Sequence, residues 1–306
     1  MTGPPILVGV DGSDCSLVAV DLAVRAAALR GCPVGIVYCD PWADHPAWAH
    51  NDPAGELTGG LLSDPQQAIR AAIDRADTNE VPVTGEVLAG NPTTVLVRES
   101  ADADLLVLGH RGRGGFPELL LGSVAVTVAA HAACPVLITR GSPQTGGEVL
   151  IGVDGSPGNH AAIGFAFHEA ALRKADLRAL HTRQESNSTD HASTIENDPG
   201  SDFVEQDQVL TEALSSWSQK YRQVVVHRQL ATGRAAHAIV TASNRAQLVV
   251  LGARGRGGLH GRRLGSVSHA VLHHAACPVT IVHDASKQQG AATRHRRNRH
   301  DAPQSL

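Results

Sequence analysis

Two short segments place glycine, aspartate, serine and arginine where a polyanion could be held. Ile6–Ser13 reads ILVGVDGS, an apolar run that ends in Gly9, Val10 and Asp11. Leu106–Gly115 reads LVLGHRGRGG, and Gly122-Ser123 follows at the start of a helical pattern. Glycines admit backbone with φ > 0 and let main-chain N–H groups approach oxygen atoms closely, which is the use expected of Gly109, Gly112 and Gly114. Ser123 reads as an N-cap, and the N–H groups of the helix it opens, Val124 among them, favour an anion together with the helix dipole. Arg111 and Arg113 add charge-assisted contacts. Asp11 suits sugar hydroxyls, as acidic residues do in related sites. The chemistry is that of a polyphosphate.

One glycine-rich loop is equally well read as a tight turn, and neither GxxxxGK[ST] nor GxGxxG is present. The repeat decides between them. ILVGVDGS returns as LIGVDGS (Leu150–Ser156), LVLGHRGRGG as VVLGARGRGG (Val249–Gly258), and LGSV and HAACPV each occur twice. The offset is constant at 143 residues (154 − 11 for the aspartates, 265 − 122 for the last glycines). Gly109, Gly112, Gly122 and Ser123 therefore correspond to Gly252, Gly255, Gly265 and Ser266 in unchanged spacing. The second set is completed by Gly152, Asp154, Arg254, Arg256, Gly257 and Val267. A period this long marks a duplicated domain, since solenoid units run about 20–50 residues.

The elements that must position these residues alternate. In the first copy, strands are expected at Ile6–Val10, Val34–Cys39, Val83–Leu88, Leu105–Gly109 and Val136–Thr139. Helices are expected at Ser16–Arg30, Asp64–Ala76, Pro92–Ser100 and Ser123–Ala132. Strands separated by helices imply an α/β fold with a parallel, doubly wound sheet and right-handed crossovers. Ligands of such sheets sit beyond the carboxyl ends of the strands, where the strand order reverses. Residues 1–141 form one expected domain and 147–285 the second, joined by a short Gly/Ser/Pro/Thr-rich linker. Pro41–Ser63 and Gln184–Asp202 are expected to be surface loops. Residues 286–306, with RHRRNRH and no apolar face, are expected to be a disordered basic tail.

Composition narrows the function further. Among 306 residues, 42% are hydrophobic, and no apolar run is long enough to span a bilayer or serve as a signal peptide. Membrane insertion is not expected, and the cytoplasm is the expected location. Five cysteines without a CxxC pair fit reduced thiols. A net charge of −4, with only four Phe, three Trp and two Tyr, argues against nucleic acid as a partner.

The chain resembles the universal stress protein family over nearly its whole length, as a tandem pair of the actinobacterial type. The family's ATP-binding signature, G-x2-G-x9-G-[S/T], is matched in both halves, as are its aspartate after strand one (Asp11, Asp154) and Cys-Pro-Val before the last strand (Cys134, Cys277). The resemblance implies, in each half, a five-stranded parallel sheet of order 3-2-1-4-5, as in the adenine nucleotide alpha hydrolase-like fold. It implies ATP at the switch point, often with Mg2+, and adenine held partly by backbone at the end of strand two, which maps to Cys39 and Thr182. It further implies that fifth strands meet, that the chain forms a homodimer, and that it regulates stress survival or growth through an unidentified protein partner.

The two sites differ. His110 is replaced by Ala253, and Glu118, Leu119 and Leu120 by Gly261, Arg262 and Arg263. The second site is therefore expected to hold polyphosphate more tightly at low salt. His269 and His273 could bind metal with His274 or Cys277, but the counterparts of the pair are Val126 and Ala130, and no metal site is expected. Cys15, beside Asp11, has Gly158 as its counterpart, which speaks against a general redox role. Phosphoryl transfer needs a residue to orient or deprotonate the attacking group, and no second carboxylate recurs near strand four. A nucleotide-dependent regulator without fast turnover is expected. A weak ATPase or phosphotransferase and a nucleotide-independent scaffold are the competing readings.

Overall fold

The structure, a computed structural model, describes residues 3–43, 64–76, 81–113, 120–142, 146–183, 199–255 and 264–284. In the first half the elements run β1 (Ile6–Val10), α1 (Asp14–Arg30), β2 (Val34–Asp40), α2 (Pro65–Ala76), β3 (Val83–Ala89), α3 (Pro92–Glu99), β4 (Leu105–Leu108), α4 (Ser123–His131) and β5 (Val136–Ile138). In the second they run β6 (Glu148–Gly152), α5 (His160–Arg173), β7 (Leu177–Arg183), α6 (Pro199–Lys220), β8 (Val226–Thr232), α7 (Ala235–Ala242), β9 (Ala246–Gly252), α8 (Ser266–His274) and β10 (Val279–Val282). Every strand and helix expected in the first half is present within two residues at each end. The expected loop Gln184–Asp202 ends early, because α6 already begins at Pro199. Proline is tolerated at a first helical position, where its missing N–H would have no intrahelical partner. The linker, the second large loop before Pro199 and the tail beyond Asp284 fall wholly or largely outside the described residues.

The strands form one ten-stranded sheet in the order β3-β2-β1-β4-β5-β10-β9-β6-β7-β8. Each half thus has the order 3-2-1-4-5 with parallel pairing. The halves join through β5 and β10, which run antiparallel with Leu137 opposite Thr280. The central strands are apolar on both faces because helices cover both, whereas the edge strands β3 and β8 are half-buried or exposed. On one face, Ile6, Val8, Ala23, Ile36, Ile151, Phe167 and Val250 share a core fed by α1, α2, α5 and α6. On the other, Leu106, Val128, Ile138, Leu251, Val271 and Ile281 share one fed by α3, α4, α7 and α8. Both cores draw on both halves, so the duplication folds as one continuous body.

Local signals set the helix ends. Ser13 caps α1 by accepting from Ser16 N–H at 3.2 Å, and Asn91 caps α3 with Pro92 just inside. The chain leaves α1 through Gly31 at φ +64, whereas α5 leaves through Lys174 at φ +51. Among the described residues, Lys174 alone carries a side chain at positive φ.

Candidate functional site

The carboxyl ends of β1 and β4 diverge around a cavity of about 550 Å³. All first-half candidates line it except Gly114, which lies outside the described residues. β2, the turn after it and α3 bring Val37, Cys39, Trp42, Pro92 and Leu96 to its lining. The glycine loop after β4 and the start of α4 bring Gly109, Arg111, Gly112, Arg113, Gly122 and Ser123. Burial pushes the Cys39 thiol up to about 12, so it contributes as a small neutral group. Trp42, Pro92 and Leu96 were not singled out from the sequence. Their signal was the position of Pro41-Trp42 just past strand two and of Pro92 at a helix start.

Asp11 joins the two loops. Its Oδ1 accepts from the Ser13 N–H at 3.0 Å and the Ser13 hydroxyl at 2.6 Å, while Oδ2 accepts from the Arg113 N–H at 2.8 Å. The absence of a side chain at Gly112 makes this possible, since a Cβ there would overlap the Asp11 carboxylate. The second half repeats the bonds to the serine and the close glycine. Asp154 Oδ1 accepts from Ser156 N–H at 2.9 Å and Ser156 hydroxyl at 2.7 Å. A Cβ on Gly255 would lie 2.7 Å from Asp154 Oδ2. In the first copy the carboxylate thus tethers strand one to the glycine loop, and in the second Asp154 keeps the serine bonds and lies against Gly255.

The helix that follows the glycine loop is capped differently from the sequence expectation. Gly122, with φ −76 and ψ 148, is the N-cap of α4, and Ser123 is the first helical residue. Gly265 and Ser266 stand likewise at α8. Neither end has a side-chain cap. A glycine cap leaves the first-turn N–H groups to water or to a ligand oxygen. The cap is fixed from the loop instead: Gly122 N–H donates to His110 O at 2.8 Å, and Gly265 N–H to Ala253 O at 2.7 Å.

Gly152 closes β6, Thr182 lies in β7 and Gly252 ends β9, while Arg254 follows β9 and Val267 opens α8 beside Ser266. Arg256, Gly257, Gly261, Arg262 and Arg263 lie outside the described residues, as do Glu118 and Leu119. The neighbours of the two aspartates differ. Ser16 donates its hydroxyl to Ser13 O at 2.7 Å, but its counterpart Asn159 is buried and donates Nδ2 to Gly152 O at 3.1 Å. Tyr38 is matched by His181, whose Nδ1 lies 2.6 Å from Val153 O. His110, near Thr139 and 3.9 Å from the Cys15 sulfur, has its pKa lowered by burial and then by Arg140 and Arg111. His269 and His273 face each other at 4.7 Å between ring centroids, and no cluster of three or more metal-ligating residues occurs among the described residues. Among those residues no helix is long and apolar enough to cross a membrane.

Two stretches, residues 4–140 and 147–283, match the universal stress protein family. Two universal stress proteins of Mycobacterium tuberculosis (strain H37Rv) are similar along their length. One is 34% identical over 299 residues, covering 90% of this chain and 94% of the relative. The other is 35% identical over 296 residues, covering 90% and 96%. A universal stress protein of Archaeoglobus fulgidus has a similar crystal structure, with TM-score 0.66 at 17% identity, covering 93% of this chain and all of that one. The chain belongs to the universal stress protein family, as two family domains in tandem.

Proposed function

We propose that the protein binds ATP in each half and acts as a nucleotide-dependent regulator of stress response or growth. The observation that carries this reading is the mixed lining of the cavity. Its apolar residues suit a purine base, and its glycine loop, with a helix start lacking a side-chain cap and two arginines, suits phosphates. Arg111 and Arg113, with the N–H groups around Gly122 and Ser123, would hold the phosphates. Mg2+ would arrive with ATP, since it is commonly bound through substrate phosphates and water rather than an all-protein cage. Arg254, Arg256 and the loop from Gly255 to Ser266 would do the same in the second half.

Binding without fast turnover is the reading that Asp11 supports. Its two oxygens accept three hydrogen bonds from the loops they join, which is the geometry of a tether. A hydrolase would need a group that orients or deprotonates the attacking water. The reading includes a cytoplasmic homodimer and a protein partner that senses the nucleotide.

Mass spectrometry of the purified chain, with a thermal melt in excess ATP and magnesium, tests this. Adenine nucleotide should co-purify, and the melting temperature should rise, because a ligand selective for the native state stabilises it. A nucleotide-free chain with an unchanged melt would favour the scaffold. Phosphate release well above background, abolished by Asp11→Glu with Asp154→Glu, would favour the enzyme.

A further inference from the structure

We propose that Arg140 couples the two nucleotide sites across the junction between the halves, so that filling the second raises the affinity of the first. The inference rests on the nucleotide reading above.

Arg140 follows β5, the strand that meets the second half. Its Nη1 donates to Leu120 O at 2.9 Å. Leu120 stands just before Leu121 and the Gly122 cap, so this bond holds the end of the first glycine loop. Its Nη2 donates to His273 O in the last turn of α8. The opposite end of α8, Gly265-Ser266, belongs to the second glycine loop. One guanidinium therefore ties the first loop to the far end of the helix whose near end faces the second site. The helix has nine residues, a span of about 13 Å.

The sign of the coupling follows from the direction of α8. Phosphate at its N-terminus engages N–H groups at the positive end of a line of aligned peptide dipoles. Hydrogen bonds in such a chain polarise one another, which strengthens the carbonyl that Arg140 contacts. A guanidinium fixed at that carbonyl holds the Leu120 end of the first loop, so ATP entering there has less left to order. By reciprocity, filling the first site raises affinity at the second by the same factor.

The mirror position shows that the device is built once and not duplicated. His283 is the counterpart of Arg140 (283 − 143), and Ala130 that of His273 (273 − 143). His283 lies beside the Ala130 carbonyl, near His131 and Arg254. A single imidazole replaces the five-donor fork, and neither of its ring nitrogens makes a hydrogen bond among the described residues, so the two-armed bridge of Arg140 has no counterpart there.

Calorimetric titration of the full chain with magnesium and ATP tests this. Wild type and Arg140→Met are each compared with and without Gly255→Ala, which blocks the second site. In the wild-type background, the first site should weaken about fivefold when the second is blocked, the lower end of common couplings. With Arg140→Met the first-site affinity should be the same whether or not the second is blocked. Arg140→Lys keeps the charge but loses the fork, and should likewise abolish the dependence, which keeps the test open if the methionine variant does not fold. A fivefold ratio that survives both substitutions overturns the proposal, as do wild-type affinities indifferent to Gly255→Ala. Absence of ATP binding in wild type overturns the nucleotide reading and the coupling with it.

Discussion

In the first half the surroundings of Asp11 include Ser16, Tyr38, His110 and Trp42, whereas the corresponding part of the second half carries Asn159, His181 and Ala253. The aspartates themselves are set alike: each is folded onto its own serine and faces a glycine too small to displace it. Repeated residues thus fix how strand one meets the glycine loop, and unrepeated residues tune what surrounds it. The same division holds at the junction. Arg30 and Arg173 are counterparts (173 − 143), but both reach Glu169, whose own counterpart is Ala26. One acid serves two basic residues across the pseudo-two-fold, with Asp104 3.1 Å from Arg30 on the first-half side.

The largest effect should come from removing that shared acid. Glu169→Ala leaves two buried guanidinium groups without their common partner, and burial already lowers the pKa of both Arg30 and Arg173, the latter to about 10. A loss of about 3–5 kcal/mol is expected in a denaturant titration. Ala26→Glu, by contrast, should not compensate for it. A loss under about 1 kcal/mol would show that the cluster contributes little.

Next in size is the tether. Gly112→Ala places a Cβ on the Asp11 carboxylate, and should lower ATP affinity at the first site about a hundredfold, near 2.7 kcal/mol. The second site should change far less, by no more than its coupling to the first. Gly255→Ala should produce the converse, so site-resolved titration of the two variants sharpens the comparison. Equal losses at both sites in either variant would mean that the glycines act through the fold as a whole.

A smaller effect distinguishes the two sides of the junction by pH. His283 has its pKa lowered chiefly by burial, with Arg254 and His131 also lowering it and the Ala130 carbonyl opposing them. Its proton is bound more weakly in the folded chain than in the unfolded one. Its contribution is therefore complete above the ordinary value of 6.5 and is lost as pH falls below it. One such group adds a slope of at most about 1.4 kcal/mol per pH unit. His110, His168 and His273 are shifted the same way, so His283→Gln should flatten the acid limb partly. An unchanged limb would remove His283 from the account. Arg140, its counterpart, stays charged throughout this range.

The smallest expected effect concerns the helix ends. Lys174 occupies the left-handed position that Gly31 fills in the first half. An L-residue there is strained by about 1–2 kcal/mol, partly offset by glycine's extra chain entropy. Lys174→Gly should raise stability by about 0.5–1 kcal/mol, read as a small increase in denaturation midpoint. A decrease would show that the lysine side chain contributes more than its backbone costs.

Much of the scaffold was legible because alternating apolar runs and helical faces report local structure and each motif occurred twice. Strand order came from family resemblance, and both halves follow it. Apart from Cys39, which came from the family resemblance, the first-half candidates could be read from residue types and spacing, and one cavity gathers those described. What stayed hidden depends on contacts between residues that do not correspond. Arg30 reaches Glu169 and Arg140 reaches His273 across more than a hundred positions, and no periodicity marks either pair. The Asp11 tether was hidden for another reason. Spacing suggested a carboxylate near the loop, but only the fold shows the Arg113 N–H beside it. Ser123 was expected as the cap because serine favours that position, yet the chain enters the helix one residue earlier, through Gly122.

The central claim is that each half holds one ATP. Calorimetric stoichiometry of the nucleotide-stripped chain with magnesium and ATP tests it most directly. Two ATP per chain are predicted, falling to one with Gly112→Ala and to none when Gly255→Ala is added. Saturation at one per chain in wild type, or no binding heat accompanied by an unchanged thermal melt, would contradict it.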